Sequence, residues 1–307
     1  MPTPLTLAQF SALGEPILNQ VFFAGFDRAI GQGQSVLPLF ATRTSTKRYE
    51  YIEALGGMGT YKKRTEGGPV NFDTMEALFK TTFEMEEYNK TIGIDQNLIA
   101  DQNYLQINDI VTNMGLMAGK TRRKDAASVF NHAFSASYLG GDGKALCASD
   151  HPLDKGGSIT GSNAGSLALT YANVVTTNKL MTLQMDARNE PCLVIPDTLV
   201  VPYAKVEEAW QIANAMGKPG EISNNGNFFK GLNVVADPYL DASDVNNWFL
   251  VDSLMAQMHL LWFDRTALTF LFMVPTAIDK NYYVGGDMRY DFGWSDWRWI
   301  YGNDASA

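Results

Sequence analysis

The sequence predicts an α+β protein, and three features of the chain lead to this prediction. Residues 47–53 and 77–86 alternate bulky or apolar side chains with polar ones, which is the period of a β-strand with two unlike faces. A proline-free helical pattern runs from Asp95 towards Phe134. Short strand and helix patterns then alternate after residue 170. With 307 residues, 46% of them hydrophobic, the chain can build a sizeable core, and we expect two lobes.

The two alternating segments predict a hairpin with a glycine-rich, charged tip. Between the strands, Gly56-Gly57, Gly59 and Gly67-Gly68-Pro69 interrupt any regular element, and Tyr61-Lys62-Lys63-Arg64 place charge at the apex. A two-stranded ribbon is marginal in water, so we expect this arm to lie on another surface. Tyr61, Lys62, Lys63 and Arg64 are therefore our candidates for contacts with a neighbouring subunit. The alternative is an ordinary hairpin that packs on its own domain.

The helical pattern after the hairpin predicts one continuous helix. Asp95 is a plausible N-cap, and the apolar residues up to Phe134 fall largely on one stripe. At 1.5 Å per residue such a helix would span roughly 50 Å, so it would cross the molecule as a spine. Its interior Gly115 and Gly119 suggest close packing against another element. Charged residues interrupt the run well short of a membrane span.

The remaining elements are predicted from shorter patterns. Residues 1–40 suggest an extended arm with a short helical piece from Phe10 to Ala29. Helices are predicted after Thr170 and from Lys205 to Met216. Strands are predicted at Pro191–Pro196, Leu199–Pro202, Leu232–Ala236, Trp248–Val251, Leu268–Val274, Tyr282–Val284 and Arg289–Tyr301.

The net charge and the cysteine content limit which functional classes the chain can belong to. The net charge of −9 and the pI of about 4.9 argue against a dedicated nucleic-acid-binding surface. The basic clusters Lys62–Arg64 and Arg122–Lys124 are small, and a solvated or salt-bridged face is the simpler interpretation. The two cysteines and the absence of a signal-peptide pattern indicate an intracellular, reducing compartment. The apolar run from Ala267 to Val274 is too short to span a bilayer.

Several motifs resemble catalytic or binding sites without completing one. The segment Gly140–Ala145 lacks the residues that a phosphate-binding loop requires at 138 and 145. Ser149-Asp150-His151 has the residue types of a triad, but adjacent residues cannot adopt its geometry. Cys147 and His151 are candidates for a zinc site or a nucleophile with its base, but too few further Cys or His residues exist to complete a metal site. A turn in which Asp150 or His151 bonds the backbone before Pro152 is the simpler interpretation. We predict no catalytic residue, metal or cofactor.

Five blocks, in order, resemble the major capsid proteins of tailed bacteriophages with the HK97-type fold, and especially the Mu-like major head subunits. The blocks are Phe130-Asn131-His132-Ala133-Phe134 with Gly140–Gly143, Leu146–Leu153, Pro196–Pro202 with Glu207-Glu208-Ala209, Asn233–Leu240 with Trp248-Phe249-Leu250, and Arg289–Trp294 with Asp296-Trp297-Arg298.

The resemblance implies a division of the chain and a role for it. It implies an N-terminal arm (1–40), an extended E-loop (41–92) that lies over a neighbouring subunit, a peripheral domain with the spine helix (93–190 and 262–307) and an axial domain (191–261). The function it implies is self-assembly as pentamers and hexamers into an icosahedral shell around double-stranded DNA. The implied partners are scaffold, portal and decoration proteins, and the implied location is the virion, assembled in the host bacterial cytoplasm without a membrane.

Two other functional classes remain as alternatives. One is an enzyme, such as a hydrolase that uses the Cys147/His151 region, which would need a concave pocket with perturbed ionisable groups. The other is a host-surface adhesin, which the absence of export signals and repeated β-modules disfavours.

Overall fold

The computed structural model describes residues 7–31, 33–57, 60–73, 77–101, 104–219, 225–242, 244–276 and 280–306. Within these ranges the helices are α1 (Leu7–Gly31), α2 (Gln96–Ala100), α3 (Tyr104–Asn131), α4 (Tyr171–Thr182), α5 (Val206–Asn214) and α6 (Ser253–His259). The strands are β1 (Ala41–Thr44), β2 (Tyr49–Leu55), β3 (Ala77–Glu84), β4 (Glu86–Asp95), β5 (His151–Pro152), β6 (Thr160–Gly161), β7 (Ala164–Gly165), β8 (Thr198–Pro202), β9 (Asn233–Asp237), β10 (Trp248–Val251), β11 (Leu260–Met273), β12 (Asn281–Trp294) and β13 (Ile300–Asn303).

Two sheets organise the fold, and large hydrophobic clusters pack against them. The first sheet has the order β1-β11-β12-β4, and the largest cluster, filled by α1 and α3 on one face of this sheet, extends to Val200, Phe249 and Val251 of the second sheet. The second has the order β7-β13-β10-β8-β9, and its cluster includes Val174 and Met181 of α4 and Ile212 of α5. The pairs β2-β3 and β5-β6 form separate two-stranded ribbons. The α+β class is therefore confirmed.

The contact between α1 and α3 depends on glycine. A Cβ atom added at Gly115 would overlap the carbonyl oxygen of Phe22, and one added at Gly25 would overlap the carbonyl oxygen of Thr112. Gly119 lies against Ala29, whose Cβ would be 2.6 Å from the added atom. The close packing predicted for Gly115 and Gly119 is thus confirmed, and its partner is α1.

The helix predicted from Phe10 to Ala29 is confirmed and is slightly longer, since α1 runs from Leu7 to Gly31. The extended arm expected around it is wrong, because this segment packs on the body of the subunit. Leu18, Phe22, Gly25 and Ala29 follow one another at helical spacing and are all buried. α1 packs on a surface of α3, and no pattern within α1 itself predicts that contact.

The spine helix is shorter than predicted. Residues 86–95 form a strand paired with β12, and α2 begins only after Asp95, whose side chain accepts a 2.8 Å hydrogen bond from the backbone N–H of Asn97. The predicted cap is therefore confirmed, but α3 begins at Tyr104 and ends at Asn131. Residues 102 and 103 lie outside the described residues, as does any helical continuity across them. The observed α3 spans about 42 Å.

Two strand predictions near the second sheet also fail. Residues 191–196 form no strand beyond an isolated bridge at Pro191, and Leu193 adopts a left-handed backbone (φ 54°) with its side chain exposed. Prolines at both ends of this segment limit its backbone pairing. The predicted strand from Arg289 to Tyr301 is interrupted between Trp294 and Ile300, where the chain passes from the first sheet to the second.

The predictions for α4, α5, β8, β9 and β10 are confirmed to within two residues.

The basic cluster on α3 holds the core elements together. The guanidinium of Arg122 donates two hydrogen bonds to Asp264 on β11, at 2.9 and 3.1 Å, and lies 4.8 Å from the ring centre of Trp262. Arg123 donates to the carbonyl oxygen of Ala29, in the last turn of α1, and to that of Gln34, which follows the helix. The salt-bridged interpretation is therefore confirmed for Arg122, while Lys124 remains exposed.

The hairpin leaves the first sheet beside a half-buried carboxylate. β4 pairs with β12 up to Glu86 opposite Tyr290, and Asp291 is the next residue on β12. Burial raises the pKa of Asp291 to about 6, and the nearby Glu86 and Glu84 add to the rise. The root of the hairpin is therefore a site where negative charge destabilises the fold.

We predict that Gly115→Ala destabilises the subunit although alanine favours a helix by about 1 kcal/mol. The added methyl overlaps the backbone of α1, so the two helices must separate, at a cost of about 1–3 kcal/mol. Gly31→Ala is the matched control, because an added Cβ there meets nothing within 4 Å. Urea denaturation measures both variants. A Gly115→Ala variant as stable as Gly31→Ala would contradict the tight contact.

We also predict that Asp291→Asn stabilises the subunit at pH 7 more than at pH 4. A carboxyl whose pKa rises from 3.8 to about 6 on folding contributes its full stability below pH 3.8, loses it as the pH rises, and contributes none above about pH 6. The free energy of unfolding, compared between variant and wild type across pH 4–7, measures this gain. Asp27→Asn, at an exposed carboxylate of α1, is the control. A difference that does not grow with pH would contradict the prediction.

Candidate assembly surface

The base of the hairpin packs on its own subunit. Phe83 is 2% exposed and lies in a cluster with Met85, Leu261 and Phe263, and the rings of Phe83 and Phe263 are 5.0 Å apart. Ile52 on the facing strand packs against the same cluster. The expectation that the arm must lie on another surface is therefore wrong at its base, because alternate residues of β2 and β3 supply enough apolar surface there.

The outer face of the ribbon is polar and exposed. Arg48 pairs with Glu84 at 3.0 Å across the strands, and the ammonium of Lys80 lies 3.9 Å from the ring centre of Tyr51. Tyr49 and Tyr51 are both about half exposed. This face contributes little to the fold of the isolated chain, since exposed ion pairs stabilise weakly.

The tip carries the four predicted contact residues, and all four are exposed. Tyr61 is fully open to solvent, and Lys62, Lys63 and Arg64 follow it in a segment without regular structure. The guanidinium of Arg64 donates a 2.6 Å hydrogen bond to the carbonyl oxygen of Gly68, which folds the tip on itself. No carboxylate in the described ranges forms an ion pair with these three cations. Gly59 lies outside the described residues.

Both ends of the tip segment lie against one turn of the same chain. Arg188 donates two 2.8 Å hydrogen bonds to the carboxylate of Asp73, and a side chain at Gly57 would overlap the carboxylate of Asp186. The sequence did not reveal this turn as a partner, because it lies more than one hundred residues away. The subunit thus holds the ends of the loop and presents residues 60–72 between them.

Cys147 and His151 do not form a nucleophile with its base. Cys147 is buried, and burial raises the pKa of its thiol far above the ordinary value. The buried ring of His151 contacts Asp142 through Nδ1 (2.6 Å) and Asn163 through Nε2 (3.1 Å), and it stacks on Trp297 at 4.2 Å. Both ring nitrogens are therefore occupied by other side chains.

This histidine network connects the loop after α3 to the end of the chain. The amide of Asn163 donates to the carbonyl oxygens of Leu146, Trp297 and Ile300. Of the two residues expected to bond the backbone before Pro152, His151 instead contacts side chains through its ring nitrogens, whereas the carboxylate of Asp150 accepts a backbone hydrogen bond and pairs with Lys144. No local pattern predicted the role of Asn163, a single amide within a Gly/Ser-rich stretch. The network stabilises the loop, and its burial leaves no access for a substrate.

In the described ranges, no group of three or more His, Cys, Asp or Glu side chains is arranged to hold a metal ion. Among the helices of the same ranges, none is both long and apolar enough to cross a membrane.

Comparison with known families gives a match over most of the chain. The family model described as phage capsid protein matches residues 79–303. No curated protein sequence matches the chain.

Solved structures share the fold at low sequence identity. A virus-like particle from Pyrococcus furiosus matches with a TM-score of 0.56 and 11% identity, covering 94% of this chain and 98% of that one. The capsid of a native GTA particle matches at 0.54 and 14%, covering 89% and 91%. The procapsid of bacteriophage JBD30 matches at 0.50 and 18%, covering 97% and 75%.

The family match and the shared fold agree with the resemblance found in the sequence, while the Mu-like subfamily stays a prediction. The exposed loop on a packed α+β body is the arrangement that the HK97-type resemblance implied. The chain therefore belongs to the phage capsid protein family and is a major capsid protein with the HK97-type fold.

Proposed function

We propose that the chain assembles, as pentamers and hexamers, into an icosahedral shell that encloses the double-stranded DNA of a tailed bacteriophage or prophage. Assembly takes place in the host bacterial cytoplasm, with scaffold, portal and decoration proteins as partners. The net charge of −9 supports this role, because an acidic wall contains DNA without binding it tightly. The subunit carries no enzymatic activity in this proposal, which the buried Cys147 and His151 support.

We propose the same division of the chain that the resemblance implied. The E-loop spans 41–92, the peripheral domain 93–190 and 262–307, and the axial domain 191–261. The second hydrophobic cluster, on one face of β8, β9 and β10, supports an axial lobe. Within the E-loop range, the ribbon that leaves the body runs between β1 and β4, since both of these strands belong to the first sheet.

The proposed function rests mainly on the tip of the E-loop, whose cations form no ion pair within the described ranges. Three cations and an exposed tyrosine project from a loop whose ends and base are fixed. A surface that is complementary to a different surface of the same chain produces repeated, head-to-tail contacts, and these close into rings. Tyr61, Lys62, Lys63 and Arg64 therefore contact carboxylates of a neighbouring subunit. Each exposed pair is worth under about 1 kcal/mol, but a closed shell repeats it many times.

We predict that purified protein sediments in two fractions, free subunits and megadalton particles, that differ in protection of the tip. Trypsin should cut at Lys62–Arg64 in free subunits, where these residues are exposed, and spare them in particles. Gel analysis of both fractions measures the cleavage. Protein that never forms particles would contradict the shell, and equal protection in both fractions would contradict the contact.

We further predict that the triple variant Lys62→Glu, Lys63→Glu, Arg64→Glu loses particles without a lower melting temperature of the subunit. The three side chains make no ion pair within the described subunit, so only contacts between subunits change. Lys155→Glu, Lys179→Glu, Lys230→Glu is the matched control, with the same change of charge at exposed positions. Normal particles from the tip variant, counted by electron microscopy, would show that the tip is not a contact.

A further inference from the structure

A large groove lies between α3 and β4, away from the E-loop tip. It encloses about 630 Å³, and its apolar floor is made by Met114, Met117, Leu268 and Met288. Met117 is 40% exposed, whereas the other three are buried. Three methionines give this floor an adaptable surface, because the unbranched side chain repacks around different partners.

The rim of the groove has the opposite charge to the chain as a whole. Lys90, Lys120 and Lys124 line it and are exposed, whereas Glu87 is the one carboxylate among the lining residues. Neither Lys90 nor Lys120 forms an ion pair with any residue in the described ranges. On a chain of net charge −9 this is a local cationic rim around an apolar floor.

The shape of the groove favours a helical occupant. Met114, Met117, Thr121 and Lys124 line it from one face of α3, over a length of about 15 Å. That length corresponds to about three turns of a second helix, which would place apolar anchors three and four residues apart along the floor. The opposite wall is β4, the edge strand of its sheet, so the groove is open on that side.

We propose that this α3–β4 groove is the docking site for an acidic amphipathic helix of a partner protein. The apolar face of that helix lies on the methionines, and its carboxylates meet Lys90, Lys120 and Lys124. The charge of the rim selects the partner, since a basic helix would meet like charges. This contact is separate from the one that the E-loop tip makes between subunits.

A designed peptide tests the proposal on the full chain. The peptide is a helix of about 20 residues, long enough to be helical alone, with leucines on one face and glutamates beside them. Its partner peptide carries lysine at each glutamate position. Fluorescence anisotropy should show that the acidic peptide binds at least about tenfold tighter than the basic one.

Two variants locate the binding. Met117→Glu places a charge on the floor, and Lys90→Glu, Lys120→Glu, Lys124→Glu reverses the rim; each should weaken the acidic peptide about tenfold. Met258→Glu matches the first variant, and Lys155→Glu, Lys179→Glu, Lys230→Glu matches the second in its change of charge; all four positions are exposed and lie outside the groove, so both controls should leave binding unchanged. The three lysines are exposed, so the rim variant should fold normally even if Met117→Glu disrupts folding.

Three results would overturn the proposal. The first is equal or tighter binding of the basic peptide, and the second is acidic-peptide binding that both groove variants retain. The third is self-association of the wild-type subunit that Met117→Glu abolishes and Met258→Glu does not. That result would mean that a second copy of the chain, and not a partner helix, fills the groove. The tip variant Lys62→Glu, Lys63→Glu, Arg64→Glu should bind the acidic peptide normally, which separates this proposal from the one on shell contacts.

Discussion

The close contact between α1 and α3 is the constraint on which the rest of the subunit depends. Glycine at positions 25 and 115 lets the two backbones approach closely, and Phe22 then reaches through to the sheet. There it meets Gly286 on β12, where an added Cβ would lie 2.8 Å from the ring. Glycine on three elements therefore brings two helices and a sheet into one packed layer, and the first core cluster fills the space between them.

An exposed loop can make a defined contact only if the body that carries it holds its base in place. The four-stranded sheet fixes β4, and Phe83 fixes the base of the hairpin that precedes it. Asp73 and Gly57 hold the ends of the tip segment against the turn at 186–188. The segment between them carries three cations that find no carboxylate in the described subunit. The proposed contact with another copy would supply the carboxylates that these charges lack in the described ranges.

Features that depend on residues close together in the sequence were predicted correctly. Features that depend on contacts between distant residues were not. The hairpin strands, the start of α4 after Thr170, and Asp95 as a cap follow from residues close to one another. That Gly115 packs closely was also predictable, but that its partner is α1 was not, since the two positions facing each other are about ninety residues apart. The Asn163 network and the left-handed Leu193 likewise depend on contacts that no local pattern records. At the candidate site, the exposed charges were predicted, whereas the turn that holds the loop was not.

A cryo-electron microscopy reconstruction of assembled particles would show which groups surround the tip. We expect Lys62, Lys63 and Arg64 to lie within ion-pair distance, about 4 Å, of carboxylates on a neighbouring subunit. We also expect Phe83 to stay packed on Leu261 and Phe263 of its own subunit, because the base is fixed before assembly. A tip that faces solvent in the particle, or that pairs with carboxylates of its own subunit, would show that it does not connect the subunits.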